Sequence, residues 1–162
     1  MSQLAADRNR QPRIAILGIG NTFRSDDAAG PLVARSLAKS HLIRDLDTVL
    51  VMDAGYAPEN STAELRRFAP DVVLLVDAAD LGEAPGTIRW IGLDEIGGMS
   101  ASTHTLPLEL LAKYLVLELG CEVSLLGIQP LTNETGKGVS REVTQAVDQI
   151  MDGLSSSLFR SE

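Results

Sequence analysis

Four side chains in this 162-residue sequence could act together if the fold gathers them: Asp26, Asp27, Asp77 and His104. Two carboxylates and an imidazole are general acid–base groups, and they form a hard-to-borderline donor set suited to a divalent first-row metal with open positions. The set has no thiolate and no second histidine, so it does not describe a tightly held structural zinc. Asp77 ends the apolar run Val72-Val73-Leu74-Leu75-Val76, where a carboxylate loses hydration and needs a hydrogen-bond partner, a cation or a changed protonation state. Asp26 and Asp27 each have a plainer reading as the acid that satisfies free N–H groups at a helix start. One of them fills that role and leaves the other to be explained. His104 by itself reads as a loop histidine with a local hydrogen bond; convergence of the carboxylates on it is what would give it chemistry. His41, between Lys39 and Arg44, reads as a helix C-terminal cation or surface residue.

Other chemistry is excluded by pattern. Gly18 and Gly20 match the first two positions of G-x-G-x-x-G, but Phe23 takes the third. Asp26 and Asp27 then stand where a pyrophosphate needs a positive helix terminus. No G-x-x-x-x-G-K-S/T, H-E-x-x-H or G-x-S-x-G occurs. The single cysteine, Cys121, allows no intrachain disulfide, and its apolar surroundings make it a buried strand residue rather than a nucleophile.

Positioning these residues requires strands that end beneath them. Residues 13–19, 48–52, 71–76 and 121–128 are short apolar runs bounded by turn residues and read as buried strands. Residues 87–91 alternate and read as an edge strand. Helical spacing marks residues 29–39, with Pro31 tolerated in the first turn, and residues 106–119, with Thr105 as N-cap and Gly120 as stop. Ser61-Thr62-Ala63-Glu64 resembles a capping box opening a short helix before Pro70. Ser140 caps a last helix with the stripe Val143, Val147, Ile150, Met151 and Leu154. Strands alternating with helices at this length give an α/β fold: one three-layer domain over residues 1–162, a mostly parallel twisted sheet with helices on both faces, frayed over 1–12 and 156–162. Ligands of such sheets bind beyond the carboxyl ends of the strands, where the two acid-bearing loops and His104 fall.

Composition narrows the partners. Hydrophobic residues form 44% of the chain and charged residues 22%, enough for a filled core. A net charge of −8 argues against nucleic acid or an anionic membrane as main partner. The polar first 13 residues have no signal-peptide character, so the expectation is a cytoplasmic protein with no membrane insertion, and a monomer.

The segments Gly18-Ile19-Gly20-Asn21, Asp26-Asp27-Ala28-Ala29-Gly30-Pro31, Ala57-Pro58-Glu59-Asn60, Val76-Asp77-Ala78-Ala79-Asp80-Leu81-Gly82, Pro85-Gly86, Thr103-His104-Thr105-Leu106-Pro107-Leu108 and Gly127-Ile128-Gln129-Pro130 occur in this order. Together they resemble the maturation endopeptidases of NiFe hydrogenases, closest to the branch serving formate-hydrogenlyase-type enzymes, over roughly residues 13–155. The resemblance implies an α/β fold and a protease that removes the C-terminal extension of the hydrogenase large-subunit precursor once nickel is inserted. It cuts after a His or Arg near the last nickel-ligating cysteines. By the resemblance, Asp27, Asp77 and His104 contact the metal, and Asp27 and Asp77 are the catalytic candidates. Nickel is then carried by the substrate and contacted transiently, as a recognition handle; alternatively a metal or a carboxylate activates the attacking water. The rival readings are a nickel-dependent chaperone that binds the precursor without cutting, and a small nucleotide-binding module. The Gly- and Ser-rich residues 97–102 are expected to form a mobile lid.

Overall fold

The structure, a computed structural model, describes residues 10–98 and 107–159. Its five strands are β1 (Ile14–Ile19), β2 (Val49–Gly55), β3 (Val72–Ala78), β4 (Ile88–Gly92) and β5 (Glu122–Ile128), arranged in the order β2-β1-β3-β5-β4. β1 pairs in parallel with both β2 and β3, and β3 with β5; only β4, at the edge, is antiparallel. The apolar runs are continuous because both sheet faces are covered. One face, with Leu17, Leu75 and Leu125, packs under α3 (Thr62–Phe68), α4 (Leu93–Ile96) and α5 (Leu108–Leu119). The other, with Ile16, Leu74 and Leu126, packs under α1 (Ala29–Lys39), α2 (His41–Arg44) and α6 (Arg141–Phe159). The expected three-layer α/β architecture is therefore present.

Five details differ from the sequence reading. Ser61 makes no side-chain cap bond, because a 3-10 turn over Pro58–Ser61 runs straight into α3 and holds Ser61 in helical backbone (φ −86°, ψ −5°). A capping oxygen reaches the third helical amide only from extended backbone. α5 begins at Leu108 with Pro107 in the cap position rather than Thr105; Gly120 ends it in the left-handed conformation as expected. The four-residue α4 carries no pattern long enough to read. α6 runs on to Phe159 instead of fraying from residue 156, since Leu154 and Leu158 continue its apolar stripe against the core. His41 starts α2 rather than ending α1, and its Nδ1 lies 3.1 Å from the Arg44 guanidinium.

The chain leaves β1 for one neighbour, β2, and returns to the other side as β3, so strand order switches between β1 and β3. At this point α1 is pressed onto the sheet. A Cβ on Gly30 would lie 2.2 Å from the Ile19 carbonyl oxygen and 2.3 Å from that of Val76, and one on Gly18 would lie 2.1 Å from the Gly30 oxygen. Only glycine permits this approach of helix start to two strand ends. Gly30→Ala is therefore expected to lower stability by about 3 kcal/mol. Gly55→Ala, at a left-handed φ of +58° but facing open space, should cost only about 1 kcal/mol. Urea denaturation of the two variants compares them directly.

Candidate active site

Both acid-bearing segments lie at the switch point. Past β1, Gly20 (φ +147°) lets the chain fold back so closely that a Cβ there would sit 1.8 Å from the Asp27 carbonyl oxygen. A 3-10 turn, Ser25–Ala28, then presents Asp26 and Asp27 and packs against the end of β3. Asp27 is 6% exposed, and the backbone N–H of Asn21 donates to its Oδ2 at 2.9 Å. Among the described residues this is its one hydrogen bond, so Oδ1 is left for a ligand.

Asp26 is fully buried and differently employed. It accepts from the N–H groups of Leu131 (2.8 Å), Thr132 (3.1 Å) and Ser140 (2.6 Å) and from the Ser140 hydroxyl (2.9 Å). Ser140 in turn accepts the Val143 N–H at 3.3 Å as the cap of α6. Neither acid bonds the start of α1, whose cap residue is Ala28, with no side-chain cap bond. The expectation that one acid of the pair serves the start of this helix is not met: Asp26 is structural, but its donors come from residues 131–140, at the far end of the chain.

Asp77 is not beyond its strand but within it, the sixth residue of β3 and 1% exposed. Alternation from Val73 and Leu75 places it on the face covered by α3 and α5. It pairs across to Gly127, whose missing side chain lets Ile91, Leu81 and Ala79 close in: a Cβ there would lie 3.1 Å from Ile91 Cδ1 and 3.3 Å from Leu81 Cδ2. Asp27 thus lies in the turn after β1 that packs against β3, and Asp77 lies near the carboxyl end of β3. His104 lies outside the described residues, as do most of the expected lid, residues 99–102, and Thr105. Among the described residues no three His, Cys, Asp or Glu side chains are grouped so as to hold a metal ion.

An open cleft of about 600 Å³ runs between the β1 and β2 ends, lined by Asn21, Phe23, Arg35, Asp53, Gly55 and Tyr56. Arg35 Nε pairs with Asp53 Oδ2 at 2.7 Å on its wall. Phe23 and Tyr56 are 78% and 61% exposed at its mouth, an unusual placement for large rings. Nothing in the sequence distinguishes Arg35 from a solvated residue of α1. Asp53 could be found only as the residue after a buried run.

Cys121 takes no part. It is buried beside β5, its Sγ lies 3.5 Å from the Leu115 carbonyl oxygen, and burial pushes the thiol above its ordinary range. A raised thiol favours the neutral form in the fold, so its contribution to stability is complete below the ordinary thiol value and is lost as pH rises from there through the raised one. Iodoacetamide should label native Cys121 on the order of 100-fold more slowly than the urea-unfolded chain; equal rates would contradict its burial.

Comparison with known proteins accords with this geometry. The sequence profile of the family described as HycI, hydrogenase maturation protease, matches residues 31–157. The hydrogenase 3 maturation protease of Escherichia coli K12 is 41% identical over 116 residues, 71% of each chain. The crystal structure of the NiFe hydrogenase maturation protease HycI from Thermococcus kodakarensis KOD1 matches with a TM-score of 0.78 at 30% identity, covering 96% of this chain and 97% of that one. The solution structure of the endopeptidase HycI from Escherichia coli gives 0.78 at 35% identity, covering 88% and 89%. With strand order and these likenesses in agreement, the chain belongs to the hydrogenase maturation protease family, a family of endopeptidases.

Proposed function

We propose that this endopeptidase removes the C-terminal extension of a NiFe hydrogenase large-subunit precursor after nickel has been inserted. The observation that carries the reading is the pair of buried carboxylates, Asp27 and Asp77, on either side of the switch point of a chain of this family. A buried carboxylate with an oxygen its own fold leaves open, as in Asp27, is a strong acceptor for a cation or for the proton of an attacking water. Asp27 is held through Oδ2 by the Asn21 amide, so Oδ1 has a fixed direction. His104, four residues before α5, is the third member of the set. Nickel enters as part of the substrate, already held by the precursor's thiolates, because two carboxylates and an imidazole retain it poorly alone. The three residues then sense that metal and align the peptide, and Asp27 or Asp77 serves as general base.

The extended peptide is accommodated by the open cleft beside Asp27. Phe23 and Tyr56 at its mouth, together with Leu131 (56% exposed), give this end of the sheet an apolar rim suited to a protein substrate. Alignment within the cleft is a matter of binding, whereas the acids act on the bond that breaks. Mutation should separate the two.

Asp27→Asn, Asp77→Asn and His104→Ala are each expected to slow processing by about 100-fold or more while the circular dichroism of the fold is unchanged. Phe23→Ala and Tyr56→Ala should instead raise KM about fivefold with kcat retained. Mass spectrometry of a large-subunit precursor, incubated with the protein with and without nickel, reads the activity. Loss of the extension only from the nickel-loaded precursor supports the reading. Equal cleavage of both removes nickel as the trigger, and a stable complex of unchanged precursor mass indicates a chaperone instead.

A further inference from the structure

The connection from β5 to α6, residues 129–140, holds both acid-bearing loops at once. On one side it supplies the four donors to the fully buried Asp26. Around them the Ser25 hydroxyl donates to the Glu134 carbonyl, the Asp26 N–H to the Thr132 carbonyl at 3.2 Å, and the Gly136 N–H to the Phe23 carbonyl at 3.2 Å. On the other side Gln129 Oε1 accepts the Leu81 N–H at 2.6 Å, four residues past Asp77. The Gln129 carbonyl accepts the Gly86 N–H at 2.8 Å, and the Ile128 carbonyl accepts the Ala79 N–H at 2.9 Å. No other segment among the described residues bonds to both loops in this way.

The local backbone shows that the arrangement is imposed. Ser25 has φ +48°, a left-handed conformation that disfavours a side chain and persists only where the surroundings over-determine it. That twist comes immediately before two neighbouring acids with opposite tasks. Asp26 enters the connection, and Asp27 is left with the single Asn21 donor at the switch point. A carboxylate with four charge-assisted hydrogen bonds is a rigid anchor, so the residue next to it inherits its position.

We infer that residues 129–140 form a bracket that sets the separation of Asp27 and Asp77, with Asp26 and Gln129 as its positioning residues. Neither touches the substrate; each acts through the backbone of the loop it holds. This rests on the reading of Asp27 and Asp77 as reaction-site carboxylates.

The test uses the full chain with purified nickel-loaded precursor. Asp26→Asn replaces one acceptor oxygen with a donor facing donors, and Gln129→Met keeps the shape of the side chain without its acceptor. Each should lower kcat about 30-fold with KM within about twofold, the signature of misplaced reacting groups rather than lost binding. Gln129→Glu, which retains an acceptor for the Leu81 amide, should recover most of kcat. Leu37→Ala, in the core under α1, is the control: it lowers the melting temperature but leaves kcat within about twofold below melting. Native-state hydrogen exchange supplies a second readout that needs no cleavage. The Asn21 amide, donor to Asp27, should exchange about tenfold faster in Asp26→Asn than in the wild type, and not in Leu37→Ala. Should Asp26→Asn fail to fold, Ser140→Ala, which removes one of the four donors, carries both readouts with about a threefold effect. Wild-type exchange at Asn21 in these variants, or a loss of kcat that follows melting temperature as in Leu37→Ala, overturns the bracket. If the wild type leaves every precursor intact, the functional reading fails while the Asn21 exchange still decides the positioning.

Discussion

The structure depends on one steric concession, the absence of side chains where α1 meets the sheet. Gly18 and Gly30 allow the first turn of the helix to lie against the backbones of Ile19 and Val76, the last apolar residues before the two acid-bearing segments. Any larger residue would lift the helix and take the turn carrying Asp27 away from β3. Strand order makes this contact coincide with the topological switch point, where crossovers to opposite faces leave a crevice. The glycines that suggest a phosphate loop are thus used for packing.

Burying three carboxylates in a chain that already carries a net charge of −8 is unfavourable unless each is compensated. Asp26 shows how compensation is done with neutral groups. Three backbone amides and a hydroxyl surround it, which is cheaper than burying a counter-cation and carries no charge into the crevice. Asp27 has one such donor. This inequality between adjacent residues of the same type separates architecture from chemistry: a carboxylate saturated by its own protein has nothing to offer a ligand, whereas one held by a single bond does.

The elements that could be read from the sequence are those written in short-range pattern. β1, β3 and β5 follow from apolar runs, α1 from its spacing and Pro31, and the start of α6 from Ser140. The division of labour between Asp26 and Asp27 could not be read, because the donors that decide it lie 105 to 114 residues away. Ser61 and Thr105 read as caps in the sequence and are not, for a related reason: capping depends on the backbone that enters the helix, and a 3-10 turn or a proline at that point has no periodic signal. The pairing of Arg35 with Asp53 on the cleft wall likewise depends on how α1 lies over β2, which no local pattern specifies.

The span of those donors bears on when in its life the protein becomes competent. During synthesis the acids of the first loop emerge long before residues 131–140, and until that stretch has left the ribosome and α6 has docked, Asp26 lacks all four of its donors. The turn that carries Asp26 and Asp27 therefore reaches its final set of hydrogen bonds only after a stretch more than a hundred residues later has been made. A partly made chain can have the strands and glycines of this end of the sheet without the four donors that hold Asp26.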